Sequence, residues 1–112
     1  MSFTRIATFD DQKELAFGSI GVNYTLIDSV IFHPSRVFIV MNITDALLQF
    51  STDGANDKFP LDAKTNFTLD IATNDLDNVP WLLPAKTGVY VKRIETPTEK
   101  SVYIVTVYGR TD

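Results

Sequence analysis

RVFIVMNI, Arg36–Ile43, is the stretch that decides the fold. Val37, Ile39, Met41 and Ile43 fall on one side of an extended chain, and Phe38 and Val40 on the other, because side chains alternate across a strand. Both sides are apolar, so the run reads as a central strand. Four further runs have the same character: Ala46–Thr52 (ALLQFST), Phe67–Thr73 (FTLDIAT), Gly88–Ile94 (GVYVKRI) and Ser101–Tyr108 (SVYIVTVY). β-branched and aromatic residues at this density pack well on a pleated sheet.

Turn chemistry punctuates the runs. His33-Pro34 precedes the first, and proline removes a ladder donor. Upstream, Val22–Asp28 and Val30–Phe32 suit one bent strand or two short ones. Ala46, Leu48 and Phe50 point one way along their run, which then meets Thr52-Asp53-Gly54, where glycine accepts positive φ without steric cost. Lys58–Leu61 brings Phe59 and Leu61 inward, with Pro60 marking an edge or a bulge. Phe67, Leu69 and Ile71 alternate with Thr68, Asp70 and Ala72 as a half-exposed strand. The last two runs read as a hairpin closed by the polar loop Glu95–Lys100 (ETPTEK).

The N-terminal stretch is less patterned. Phe3–Phe9 suits an edge strand, and Asp10–Phe17 (DDQKELAF) suits one helical turn or a polar loop stopped by Gly18. About seven to nine strands follow, at the spacing expected of a sandwich or barrel. The expected fold is all-β: one antiparallel β-sandwich or jelly-roll-like barrel over residues 1–112. It has at most one short helix near Asp11–Phe17, and residues 1–19 are open to use as an extended arm. The expected core is Ile39, Met41, Leu48, Phe50, Phe67, Leu69, Ile71, Val89, Val91, Ile104 and Thr106 or its opposite face.

Composition narrows the function classes. The 112 residues make one domain that can bury a core without a metal or disulfides. Cysteine is absent, which removes disulfides, zinc–thiolate sites and cysteine nucleophiles. The formal net charge is −4 and the basic residues are scattered, so no stripe suited to phosphates is visible and direct nucleic-acid binding is not expected. No apolar stretch approaches the roughly 20 residues that cross a bilayer as a helix, and the segment MSFTRIATFDDQKELAF lacks the basic segment, long apolar run and small-residue cleavage site of a secretory signal. A soluble chain made in a cytoplasm, with no membrane contact, is the expectation.

Candidate chemistry is sparse. His33 is the one histidine, with Asp28, Ser29 and Ser35 near it in sequence, but no serine sits in a nucleophile-elbow pattern. Asp53, Asp57 and Asp62, and separately Asp70, Asp75 and Asp77, offer oxygen ligands for Ca²⁺, without the full spacing or the terminal bidentate Glu of a calcium loop. Aspartate beside glycine is more often a turn former. Nothing fixes two carboxylates at the separation glycoside hydrolysis needs. Three Asn-x-Thr sequons, at Asn23, Asn42 and Asn66, would carry surface glycans in a secreted eukaryotic protein, but read more simply as the Asn and Thr that end strands and enter turns. No enzyme activity and no cofactor is expected. Trp81, bracketed by Pro80 and Pro84, is either a contact residue or a plug at one end of the sandwich. With Leu82, Leu83, Asp75, Asp77 and Phe3 it makes up the candidate protein-contact set.

From Leu47 onward the chain resembles small β-sandwich structural proteins of tailed-bacteriophage particles. The residues that carry this are FSTDGANDKFPL (Phe50–Leu61), FTLDIATN (Phe67–Asn74), TGVYVKR (Thr87–Arg93) and SVYIVTVYG (Ser101–Gly109). A strand ending in a Ser-x-Asp-Gly turn precedes a short Phe-containing strand, and a Gly-Val-Tyr-Val-Lys strand leads into a closing Ser-Val-Tyr strand. The likeness covers about half the chain and consists of turn and strand grammar, so it carries over no binding residue. It implies a virion component, a capsid decoration protein or a neck or tail part. Such a protein would bind capsid, portal or tail proteins, and identical copies would assemble together. The alternative is a carbohydrate-binding module that stacks sugars on Trp81, Tyr90 or Tyr108.

Overall fold

A computed structural model describes residues 5–70 and 84–111. Within them the chain is a β-sandwich of nine strands in two antiparallel sheets, with no α-helix. The first sheet has the order β1 (Arg5–Phe9), β9 (Ser101–Thr111), β4 (Val37–Asn42), β7 (Thr65–Asp70), and β2 (Lys13–Ala16) also pairs with β9. The second has the order β3 (Thr25–Leu26), β8 (Tyr90–Arg93), β5 (Leu48–Ser51), β6 (Phe59–Leu61).

β9 organises the first sheet. Its C-terminal half pairs with β1, from Arg5↔Thr111 to Phe9↔Val107, and its N-terminal half with β2, from Lys13↔Ile104 to Ala16↔Ser101. Between them the Asp10 N–H donates to the Thr106 carbonyl oxygen at 2.9 Å, so one edge of β9 is lined almost continuously. The segment Asp10–Phe17, open in the sequence to one helical turn or a polar loop, is instead a strand over Lys13–Ala16, followed by a 3-10 turn at Phe17–Ser19. Four residues, KELA, are too short for a stable helix of their own. Pairing with β9 satisfies their backbone and turns Lys13 and Leu15 toward the core side. The arm envisaged for residues 1–19 is, from Arg5 to Ala16, an edge of the chain's own sheet.

The expected hairpin of the last two runs is also corrected. β8 lies in the second sheet and β9 in the first, so Glu95–Lys100 crosses between layers. Side chains from elsewhere pin that crossing. The Leu47 N–H donates to Glu95 Oε1 (2.9 Å), the Thr98 N–H donates to Asp45 Oδ1 (2.8 Å), and the Thr98 hydroxyl donates to Asp45 Oδ2.

The core lies between the sheets and contains Leu48, Phe50, Val89, Val91, Ile104 and Thr106, as expected, with Ile27, Phe38, Val40 and Val102 beside them. On β4 the expected face is inverted: Phe38, Val40 and Asn42 are buried, while Ile39 and Met41 are only half-buried on the outer side. Asn42 sets that phase. Its Nδ2 donates to the carbonyl oxygens of Ala46 (2.9 Å), Leu61 (3.0 Å) and Asp62 (3.1 Å), and its Oδ1 accepts from the Thr44 N–H (3.1 Å) and the Thr44 hydroxyl. One buried amide thus ties the β4–β5 corner to the β6–β7 turn, and its burial leaves no room for a glycan at that sequon.

Phe67 and Leu69 face inward by register, opposite Val40 and Phe38, yet are 36% and 39% exposed. Among the described strands β7 lies at the edge of its sheet, where the second layer covers it only in part. Phe67 stacks there on Phe59 (centroids 4.9 Å apart), which itself stacks on Phe50 (5.4 Å). Ile71, the remaining expected core residue, lies outside the described residues.

Candidate functional site

The outer face of the first sheet is the most distinctive surface among the described residues. Register aligns Val37 with Val107, Ile39 with Val105 and Met41 with Tyr103 across β4 and β9, all half-buried on the side away from the core. Phe9 of β1 joins the end of this row opposite Val107 and is 71% exposed. These seven side chains include no charge. Polar residues border them: Glu14 on β2, held by the Ser101 hydroxyl at 2.8 Å, and Asn66 and Thr68 on β7. An apolar, aromatic- and methionine-containing centre within a polar margin is the composition of a protein-binding surface. Its origin is visible in the sequence, where Arg36–Ile43 and Ser101–Tyr108 carry apolar residues at nearly every position.

A polar cluster closes one end of the first sheet. His33 stacks on Tyr108, with ring centroids 3.8 Å apart and planes 8° from parallel, and its Nδ1 lies 3.3 Å from Asp10 Oδ2. Next to it Lys13, only 5% exposed, donates from Nζ to Ser29 Oγ at 2.9 Å and sits 5.1 Å from the Phe32 ring centroid. Asp10 and His33 make an acid–imidazole pair, but the nearby hydroxyls are turned elsewhere. Ser35 donates to the His33 carbonyl oxygen (2.9 Å), and Ser29 is taken by Lys13. The cluster fastens the loop before β4 onto β1, β2 and β9.

The acidic loop after β5 is closed on itself. Asp53 accepts from Ser51 Oγ, the Ala55 N–H and the Asn56 N–H, each at 2.8 Å, and from Asn56 Nδ2 at 3.0 Å. Gly54 follows at φ +77°, where a Cβ would come within 3.3 Å of the Tyr90 ring. Asp57 accepts from the Tyr24 hydroxyl and lies 3.2 Å from Lys92 Nζ, which stands 4.7 Å from the Tyr24 ring centroid. Among the described residues no three acidic or histidine side chains converge as a metal would require.

These bonds favour ionised carboxylates. Asn56 and the other loop donors hold Asp53 well below the usual range, Tyr24 and then Lys92 lower Asp57, and Thr98 lowers Asp45. Partial burial, then the Asp57 hydrogen bond, keeps the Tyr24 phenol above its ordinary value. A carboxyl whose folded value is depressed stabilises the fold at pH above its unfolded value, and that contribution disappears as pH falls toward the folded value. The urea midpoint should hold steady from neutrality down to about pH 5 and drop below about pH 4, where unfolded aspartates take up protons. Asp53→Asn should make that drop shallower; an identical acid profile for the variant would show that the loop does not set it.

The contact set read from the sequence falls elsewhere. Trp81, Leu82, Leu83, Asp75 and Asp77 lie outside the described residues, as does Phe3. Of the two tyrosines proposed as sugar platforms, Tyr108 already gives a ring face to His33 and Tyr90 packs against Gly54. No helix among the described residues is long and apolar enough to cross a membrane. Comparison with protein-family models, with curated proteins and with solved structures finds no match to this chain.

Proposed function

We propose that this chain is a structural, non-enzymatic component of a bacteriophage particle. It would bind neighbouring capsid, neck or tail proteins through the outer face of its first sheet. The observation that carries the reading is the uncharged row of Val37, Ile39, Met41, Tyr103, Val105 and Val107, with Phe9 at its end, on a sheet whose other face already packs the core. Covering such a face is favourable by about 25 cal/mol for each Å² of apolar area removed from water. Two rigid antiparallel layers fix its shape in advance, which keeps the entropic cost of docking low. The resemblance of the strands from Leu47 onward to phage β-sandwich proteins supplies the class of partner.

Mass spectrometry of purified particles of the phage encoding the chain should find it among the virion proteins. Ile39→Lys puts a charge in the centre of the outer face while its stem still covers the sheet. Particles made with this variant should lack the protein, although the isolated variant unfolds within about 1 kcal/mol of the parent. Absence of the parent chain from particles would overturn the reading. Selective binding on a glycan array, lost with Tyr90→Ala or Trp81→Ala, would replace it with the sugar-binding alternative.

A further inference from the structure

Among the described residues β7 is an open edge, with an unusual lack of protection. Sheet edges are ordinarily blunted by proline, charge, brevity or a bulge. The other edges here follow that practice. β3 has two residues, β6 has three with Pro60 in the middle, and the β1–β2 edge is interrupted at Asp10-Asp11-Gln12. β7 runs for six residues, TNFTLD, every one of them exposed, with no proline or lysine and its single charge at the end.

The hydrogen-bond phase shows which groups the edge offers. The Ile43 N–H donates to the Ser101 carbonyl oxygen at 3.1 Å, one step beyond the Asn42↔Val102 pair. Bonded and non-bonded pairs alternate along an antiparallel ladder. Val37, Ile39 and Met41 therefore address β9 with their peptide groups, and Phe38, Val40 and Asn42 address β7. On β7 the register then turns Thr65, Phe67 and Leu69 toward β4. Asn66 and Thr68 direct their N–H and C=O groups to the other side, where no described strand pairs with them.

We infer that β7 pairs antiparallel with β7 of a second copy of this chain, joining the two first sheets across a twofold axis through Thr68. A twofold normal to the sheet keeps inner faces inner, so residues of like parity must oppose each other. With Thr68 on the axis, the two Thr68 peptides exchange both of their hydrogen bonds. Phe67 meets the partner's Leu69 and Leu69 meets the partner's Phe67 on the inner side. Asn66 meets the partner's Asp70 on the outer side, and no like charges face each other. Cross-strand apolar pairs are the stabilising unit of a sheet, and here they extend the Phe50–Phe59–Phe67 stack beyond the chain's own edge. A second copy is the occupant because this strand is complementary to itself in that register. The inference concerns the edge of the sheet and does not rest on the particle reading, which concerns its face.

A ladder this short covers less than the roughly 800 Å² per partner of a standard interface, so the dimer belongs to high protein concentration. Sedimentation equilibrium of the whole chain up to millimolar concentration should show reversible dimerisation. Thr68→Pro removes the two axial bonds and no bond to β4. It should raise the dissociation constant at least about tenfold with an unchanged circular-dichroism spectrum. Thr68→Lys, which sets two ammonium groups across the axis, should do the same should the proline variant fail to fold. Thr68→Cys, in a chain with no other cysteine, should oxidise to a covalent dimer. Ile39→Lys should dimerise like the parent. A parent that stays monomeric at every concentration, or proline and lysine variants that dimerise as the parent does, would overturn the inference.

Discussion

Asn42→Ala should cost about 3–4 kcal/mol of folding stability, read as a lower urea midpoint with little change in slope. The side chain is fully buried and makes five hydrogen bonds, three of them to carbonyl oxygens that belong to two different corners. Truncation leaves those oxygens with one partner fewer and gives the Thr44 hydroxyl no carboxamide to donate to. Asn42→Asp is the informative companion. It keeps an acceptor for Thr44 but loses all three donations and buries a charge, so it should be at least as damaging at neutral pH and recover partly in acid. A loss under about 1 kcal/mol in both variants would show that water replaces the amide at that corner.

Phe50→Ala should be comparably severe, at about 3–5 kcal/mol. Phe50 is fully buried, opposite Val91 in the second sheet, and it supports the Phe59 ring that in turn supports Phe67. Its removal opens a cavity at the start of the stack instead of its exposed end. Leu69→Ala, on the same inner side but 39% exposed, should cost under about 1 kcal/mol in the monomer. Equal costs for the two variants would mean that the chain collapses around the lost ring, and that the stack does not couple the layers.

The runs of β-branched and aromatic residues were enough to indicate strands and a sandwich, because period-two alternation is a local property. They did not set the phase of Arg36–Ile43. With both faces apolar, only the demand of buried carbonyls for the Asn42 amide selects Phe38 and Val40 as inner, and that demand arises from corners distant in sequence. Phe67 and Leu69 were read correctly as one face, but not as the margin of a sheet, since edge position is a property of strand order. The DDQKELAF segment misled for a related reason: its backbone is satisfied by β9, almost ninety residues further on. That Arg36–Ile43 is apolar on both faces was legible, but which face stays outside was not, since Ile39 and Met41 were expected in the core and lie on the outer side. The His33–Tyr108 stack and the Lys13–Ser29 bond were not, because they join separate stretches of chain.

The position of β9 carries a consequence for how the fold is reached. Among the described strands β1 and β2 have β9 as their only neighbour, and Arg5 finds its partner at Thr111. While the ribosome is still working through the middle of the message, β1 and β2 wait with their backbones unpaired, whereas the β5–β6 hairpin and the β4–β7 pair that encloses it in sequence have their mates at hand. Closure of so large a loop has to precede the contacts that reward it, which puts folding in the millisecond-to-second range typical of non-local β topologies. The first layer is therefore completed late, when β9 emerges and is received by β1 and β2 on one side and by the β4–β7 pair on the other.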